Sequence, residues 1–311
     1  MISVKSYTVG DLDAWNKFVR ESRMPMFMFE RGYMDYHSDR FKDASLMFYR
    51  NNDLMAVLPA SAHGEKVISH GGLTYGGFIY GEQMKQHTML ECFDLMKRHY
   101  GACGARAIIY KTIPHIYHHS PAEEDLYALY RSGASLLKVE PSTTVLLKKP
   151  FKMPKGRKAQ VSRAKREGVS VKESTDFDSF IQLENSVLGE RHATKAVHNS
   201  EELRLLKSRF CDNIQLWSAE WQGRMIAATL LFVYGNVVHT QYMAADESAR
   251  EIGGLDLLIK TLMDGFAETK AYFDFGISTE DDGRILNEGL ISQKEGFGGR
   301  TAVYNTWEIS L

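Results

Sequence analysis

The stretch from Ile226 to Gly276 restricts the fold of this chain more than any other. Residues 225–233, Met-Ile-Ala-Ala-Thr-Leu-Leu-Phe-Val, form an apolar run of strand length. Gly235-Asn236 is turn chemistry, and residues 237–242 read as a second strand. After Arg250-Glu251-Ile252-Gly253-Gly254 the period changes to that of a helix. Leu255, Leu258, Ile259, Leu262 and Phe266 recur at steps of three and four and share one face. Tyr272-Phe273-Asp274-Phe275-Gly276 closes the unit as a strand. A glycine-rich entry to a helix exposes unpaired N–H groups at the positive end of the dipole, which suits a phosphate.

The rest of the chain repeats this alternation of strands and helices. Its 311 residues are comfortable for two domains, and 44% apolar against 25% charged residues describes a globular chain. No apolar run reaches the length of a membrane span, and the start lacks a signal-peptide core, so a cytoplasmic location is expected. Cys92, Cys103 and Cys211 lack metal-ligand spacing, and no metal site is expected, the cluster His115, His118, His119 included. Net charge is −1, but Lys148 to Lys172 holds ten Lys and Arg against one acid, Glu167. Each half runs strand, two helices, antiparallel meander, helix, strand. The segment around Met55 and His70 faintly echoes that around Met225 and His239. The expectation is an α/β chain with mixed sheets and two tandem domains, 1–150 and 151–311, by duplication.

Three segments carry a family resemblance. Residues 157–169 run from Arg157 through a basic helix to Gly168-Val169, a glycine-rich stretch follows His70, and Gln293-Lys294-Glu295-Gly296-Phe297 contains Lys-x-Gly-Phe. Together, in this order, they resemble the GNAT acyltransferase fold present twice, as in the Fem (FemAB-like) peptidyltransferases. The resemblance implies that two parallel strands splay at the centre of a sheet and hold the donor between them. A lysine matching Lys294 would stabilise negative charge near the acceptor. Arg250, with Gly253 and Gly254, matches part of the acyl-CoA loop, but Leu255 stands where that loop has a small residue. Tandem members with degenerate loops take an aminoacyl-tRNA instead.

Read on their own chemistry, His239 and Gln241 share one strand face and Tyr242 points the other way. His239 is placed as a base near neutral pH, although a hydrogen-bonded core histidine is the commoner case. Asp274 faces away from Phe273 and Phe275, where it orients an amine or caps a turn. Tyr75, Gly76 and Gly77 let a chain-like acceptor approach the backbone, and Arg157 is a further substrate-binding candidate. Arg191, His192 and His198 flank a loop near the expected cleft.

The expected catalytic set is thus Lys294, Asp274, His239 and Tyr242. The expected activity is transfer of an acyl group from acyl-CoA to an amine of a cell-envelope or surface-polysaccharide precursor. Acyl-CoA is preferred because Arg250-x-x-Gly253 survives and no charged helical arm is visible. Aminoacyl-tRNA is the alternative donor, and a non-catalytic binding protein of the same fold is the other. No DNA partner and no tightly bound cofactor are expected.

Overall fold

The structure, a computed structural model, describes residues 1–149, 151, 153–192 and 198–311. The chain divides into two compact units. The first comprises Met1–Pro141, Thr279–Leu286 and Ala302–Leu311, and the second Ser142–Ser278 and Asn287–Thr301. The division expected at 150/151 is therefore displaced. The second unit begins at Ser142, six residues before the basic segment, and two late segments return to the first unit.

In the first unit, strands Ile2–Ser6, Leu46–Arg50, Asp53–Leu58 and Ile79–Tyr80 form one antiparallel sheet in that order. Strand Ala107–Lys111 pairs in parallel with Lys66–Ile68 and antiparallel with Thr306–Ser310 near the C-terminus. That last ladder explains why the end of the chain belongs to the first unit. Ala302, Tyr304 and Ile309 are buried along this strand, while residues 305–308 are all half-buried.

The second unit contains the stretch from which the fold was read. Strand β1 (Ser135–Leu146) contributes its last residues. Helix α1 (Lys155–Arg166), strand β2 (Ser170–Ser174) and helices α2 (Phe177–His192) and α3 (Ser200–Arg209) follow. Next come strands β3 (Ile214–Trp221), β4 (Arg224–Val233) and β5 (Val237–Ala245). Helices α4 (Glu247–Ile252) and α5 (Gly254–Phe266), strand β6 (Tyr272–Ile277) and helix α6 (Glu288–Glu295) complete it. The sheet order within the unit is β2-β3-β4-β5-β6-β1. Among the described residues of this unit, only β5 and β6 pair in parallel.

The apolar stripe of α5 behaves as its period requires. Leu255, Leu258, Ile259 and Leu262 are buried in one core with Val145, Val238, Phe273 and Phe275. At about 1.5–3 kcal/mol for each large apolar side chain, this face is what holds the helix to the sheet. Asn199 caps α3 and accepts from the Glu202 N–H, while the Glu202 side chain accepts from the Asn199 N–H. Asparagine at the cap with glutamate three residues on is the pattern of a reciprocal capping box.

Candidate active site

Strands β5 and β6 are in register at only three positions: Val237 with Tyr272, Val238 with Phe273, and His239 with Asp274. Beyond that pair β5 runs on to Ala245 along β4, and β6 ends at Ile277. The two parallel strands therefore fork at His239 and Asp274.

A bulge sets which side chains line the fork. Leu230 pairs with Tyr242, but its neighbour Leu231 pairs with Thr240, leaving Gln241 as the extra residue. Phe232 pairs with His239, and Leu230 and Phe232 lie two apart on one face of β4. His239 and Tyr242 therefore point to the same side. The alternation expected from sequence had them opposed, and the bulge reverses it.

Asp274 faces away from the core that takes Phe273 and Phe275, as its position between them requires. It is fully buried, and one carboxylate oxygen accepts from the Ser142 hydroxyl at 2.6 Å and the Thr144 hydroxyl at 2.8 Å. The other lies 2.8 Å from His239 Nδ1. A carboxylate at Nδ1 holds the proton on that nitrogen, so in the neutral ring Nε2 carries the lone pair. Ser142 and Thr144 were not read from sequence as functional. Their signal is two hydroxyls at alternate positions of a strand.

Gly276 follows with φ +72°, a conformation that glycine adopts readily, and a Cβ there would stand 3.3 Å from His239 Cε1. The chain turns, and Lys294 supports the turn. It lies in helix α6, not in a surface turn, and is 4% exposed. Its ammonium donates to the carbonyls of Gly276 at 3.0 Å and Ile277 at 2.6 Å. Burial pushes its pKa down to about 8, against the opposing pull of Asp274. Asp274, His239 and Lys294 thus meet where the strands part. Tyr242 joins from farther along β5, its hydroxyl 2.6 Å from His198 Nδ1 and its ring beside Phe180 of α2. The side chains of Arg191 and His192 lie outside the described residues.

Arg157 is a tie within the unit. Its guanidinium lies over the Phe297 ring at 3.8 Å, bridges to Asp256 of α5 at 2.7 Å and donates to the Gln293 carbonyl at 2.5 Å. It fixes the residue before Lys294.

The expected phosphate clamp is built differently from its sequence reading. Gly253 joins α4 to α5 with φ +84°. A Cβ on it would collide with the backbone carbonyl of Gln160 in α1. Arg163 donates to the Glu251 carbonyl at 2.9 Å, and the Arg157–Asp256 bridge pins the first turn of α5. A Cβ on Gly254 would stand 2.8 Å from Ile226 Cδ1. Arg250 donates to the Ala245 carbonyl at 3.0 Å. Helix α1 therefore lies across the mouth of α5, and its Lys155, Lys158, Lys165 and Arg166 remain exposed.

In the first unit, Tyr75 is buried against Tyr117 and Tyr304. A Cβ on Gly76 would collide with the Ser69 carbonyl, and one on Gly77 would stand 2.7 Å from the Tyr110 hydroxyl. The open backbone expected at these glycines is filled by the protein's own atoms. Lys111 donates to the carbonyls of His70 and Leu73 and so organises the loop.

One further group escaped the sequence reading. Glu184 is 7% exposed, and its Oε2 has no hydrogen-bond partner among the described residues. The available signal was an acid seven residues after Phe177 and four after Phe180, on the apolar stripe of α2.

Comparison with known proteins agrees with this geometry. Residues 155–282 match the family model of the acetyltransferase (GNAT) domain. Among solved structures, FemX aligns with TM-score 0.71 at 12% identity, over 99% of this chain and 97% of its own. L-PGS from Bacillus licheniformis aligns with TM-score 0.63 at 13% identity, over 96% and 91%. A tandem GNAT protein from the clavulanic acid biosynthesis pathway aligns with TM-score 0.55 at 10% identity, over 100% and 98%. The chain matches no curated protein. With a GNAT segment containing the forked strands and neighbours that align over nearly their whole length, residues 155–282 are a GNAT acyltransferase domain in a chain with the tandem-GNAT, Fem-like fold.

Proposed function

We propose that the second unit transfers an activated acyl group to the amine of a cell-envelope or surface-polysaccharide precursor, with aminoacyl-tRNA as donor. The observation that carries the transfer is the fork of β5 and β6 at a buried histidine–aspartate pair. In this reading the donor ester lies in the fork. The amine nitrogen bonds to the carbonyl carbon, and His239 Nε2 takes the amine's proton while Asp274 steadies the imidazolium. The carbon–oxygen bond to the ribose then breaks, and the same proton passes to the leaving hydroxyl. The Lys294 ammonium stabilises the negative charge that develops on the carbonyl oxygen.

The donor assignment rests on helix α1. It covers the helix mouth that would cradle a coenzyme pyrophosphate, and its exposed lysines and arginines suit a nucleic-acid backbone. Acyl-CoA is the second reading, favoured by the acetyltransferase description of the matched model. The two separate by experiment. Transfer from a charged tRNA pool that ribonuclease abolishes, and that falls steeply with salt, is the expected result. A CoA thioester at a hundred times its dissociation constant that adds about 2.7 kcal/mol of stability would overturn the donor assignment.

A further inference from the structure

Helix α2 has two flanks over the sheet. Ser179, Gln182, Leu183 and Ser186 line a polar cleft of about 420 Å³ against the turn between β3 and β4. Phe180 lies on the other flank, beside Tyr242 of β5. Glu184 is four residues on from Phe180, about 40° around the helix, and is absent from that cleft lining. It therefore shares the flank of Phe180, on the face of the sheet to which His239 and Tyr242 point. A buried carboxylate with an unmatched oxygen is costly unless a cation joins it.

We propose that Glu184 receives the ammonium group of the acceptor and holds it beside the fork until it gives one proton to solvent and attacks as the neutral amine, an inference that rests on the amine-acylation reading above. The ligand class is a primary ammonium compound. Burial alone pushes the Glu184 carboxyl up to about 7, which agrees with a site that waits for its counter-charge. An unmatched acid kept inside a fold for stability alone has no physical rationale, because a neutral side chain of the same shape would serve better.

The test uses the whole chain and needs no knowledge of the true acceptor. Thermal unfolding is followed at pH 8 in ethylammonium chloride or D-glucosamine hydrochloride, against sodium chloride at equal ionic strength. The expected result is stabilisation of the wild type by both ammonium salts and none of Glu184→Gln, which itself melts higher than wild type. Equal stabilisation of both proteins, or of neither, overturns the proposal, as does a lower melting temperature for Glu184→Gln, which marks a structural role. Glu184→Asp should recover part of the response. A separate assay with labelled aminoacyl-tRNA judges the acyl-transfer reading. If the wild type transfers label while the ammonium response is missing, only the role of Glu184 falls.

Discussion

At the residue scale the account depends on a few buried ionisable groups. Asp274 accepts from two hydroxyls and lies against the His239 ring. Asp274→Asn should therefore keep the fold but lose orientation of the imidazole, with kcat falling roughly 10²–10⁴-fold. Melting temperature and kcat measured on one preparation check this. For Lys294 the folded pKa of about 8 lies below the ordinary 10.5. Its charged form dominates below about 8 and is lost above it, so a rate that needs the ammonium falls as pH rises through 8. Lys294→Met should remove that alkaline limb and lower kcat about 10²-fold, read from a pH–rate profile. The pKa of Glu184 is shifted upward instead, and the shift bears on stability. Its folded pKa of about 7 lies above the ordinary 4.5, so it penalises the folded state increasingly as pH rises from 4.5 and fully above 7. Glu184→Gln should stabilise the protein by an amount of order 3 kcal/mol at pH 8 and by little at pH 4, measured by denaturant unfolding at each pH.

At the scale of elements, glycines separate close packing from local freedom. Gly253→Ala combines a positive φ with a collision against the Gln160 carbonyl. It should cost at least 2–4 kcal/mol by order of magnitude and loosen α1 from α5. Gly265, inside α5 with open space where a Cβ would go, should instead gain about 0.5–1 kcal/mol as alanine. Urea unfolding of the two variants checks both signs. The same scale shows what the sequence could reveal. The stripe of α5, the cap of α3 and the facing of Asp274 follow from period and local chemistry, and all were legible. The bulge at Gln241 was not, because it depends on which residues of β4 face β5. Nor was the burial of Lys294, since its helix has no apolar stripe to announce it. The helix Leu12–Glu21 has Asp11 at its N-cap position without a side-chain cap bond. Asp11 reads as the cap of the first helix, but its carboxylate accepts from the Thr8 N–H and hydroxyl and bridges to Lys5.

For the molecule as a whole, the chain order of the two units was legible, while the return of residues 302–311 to the first unit was not. Which strand completes a sheet depends on a partner about two hundred residues away, and alternation alone does not identify it. At this scale function rests on whether the second unit holds a donor in its fork. The most direct measurement is a structure of the whole chain with a stable aminoacyl-adenosine amide in place of the donor ester. The account predicts the ligand between β5 and β6, its carbonyl within about 3–3.5 Å of the attack position beside His239 and its nucleotide toward the basic face of α1. A ligand bound away from the fork, or a fork closed by continued pairing beyond His239 and Asp274, would contradict it.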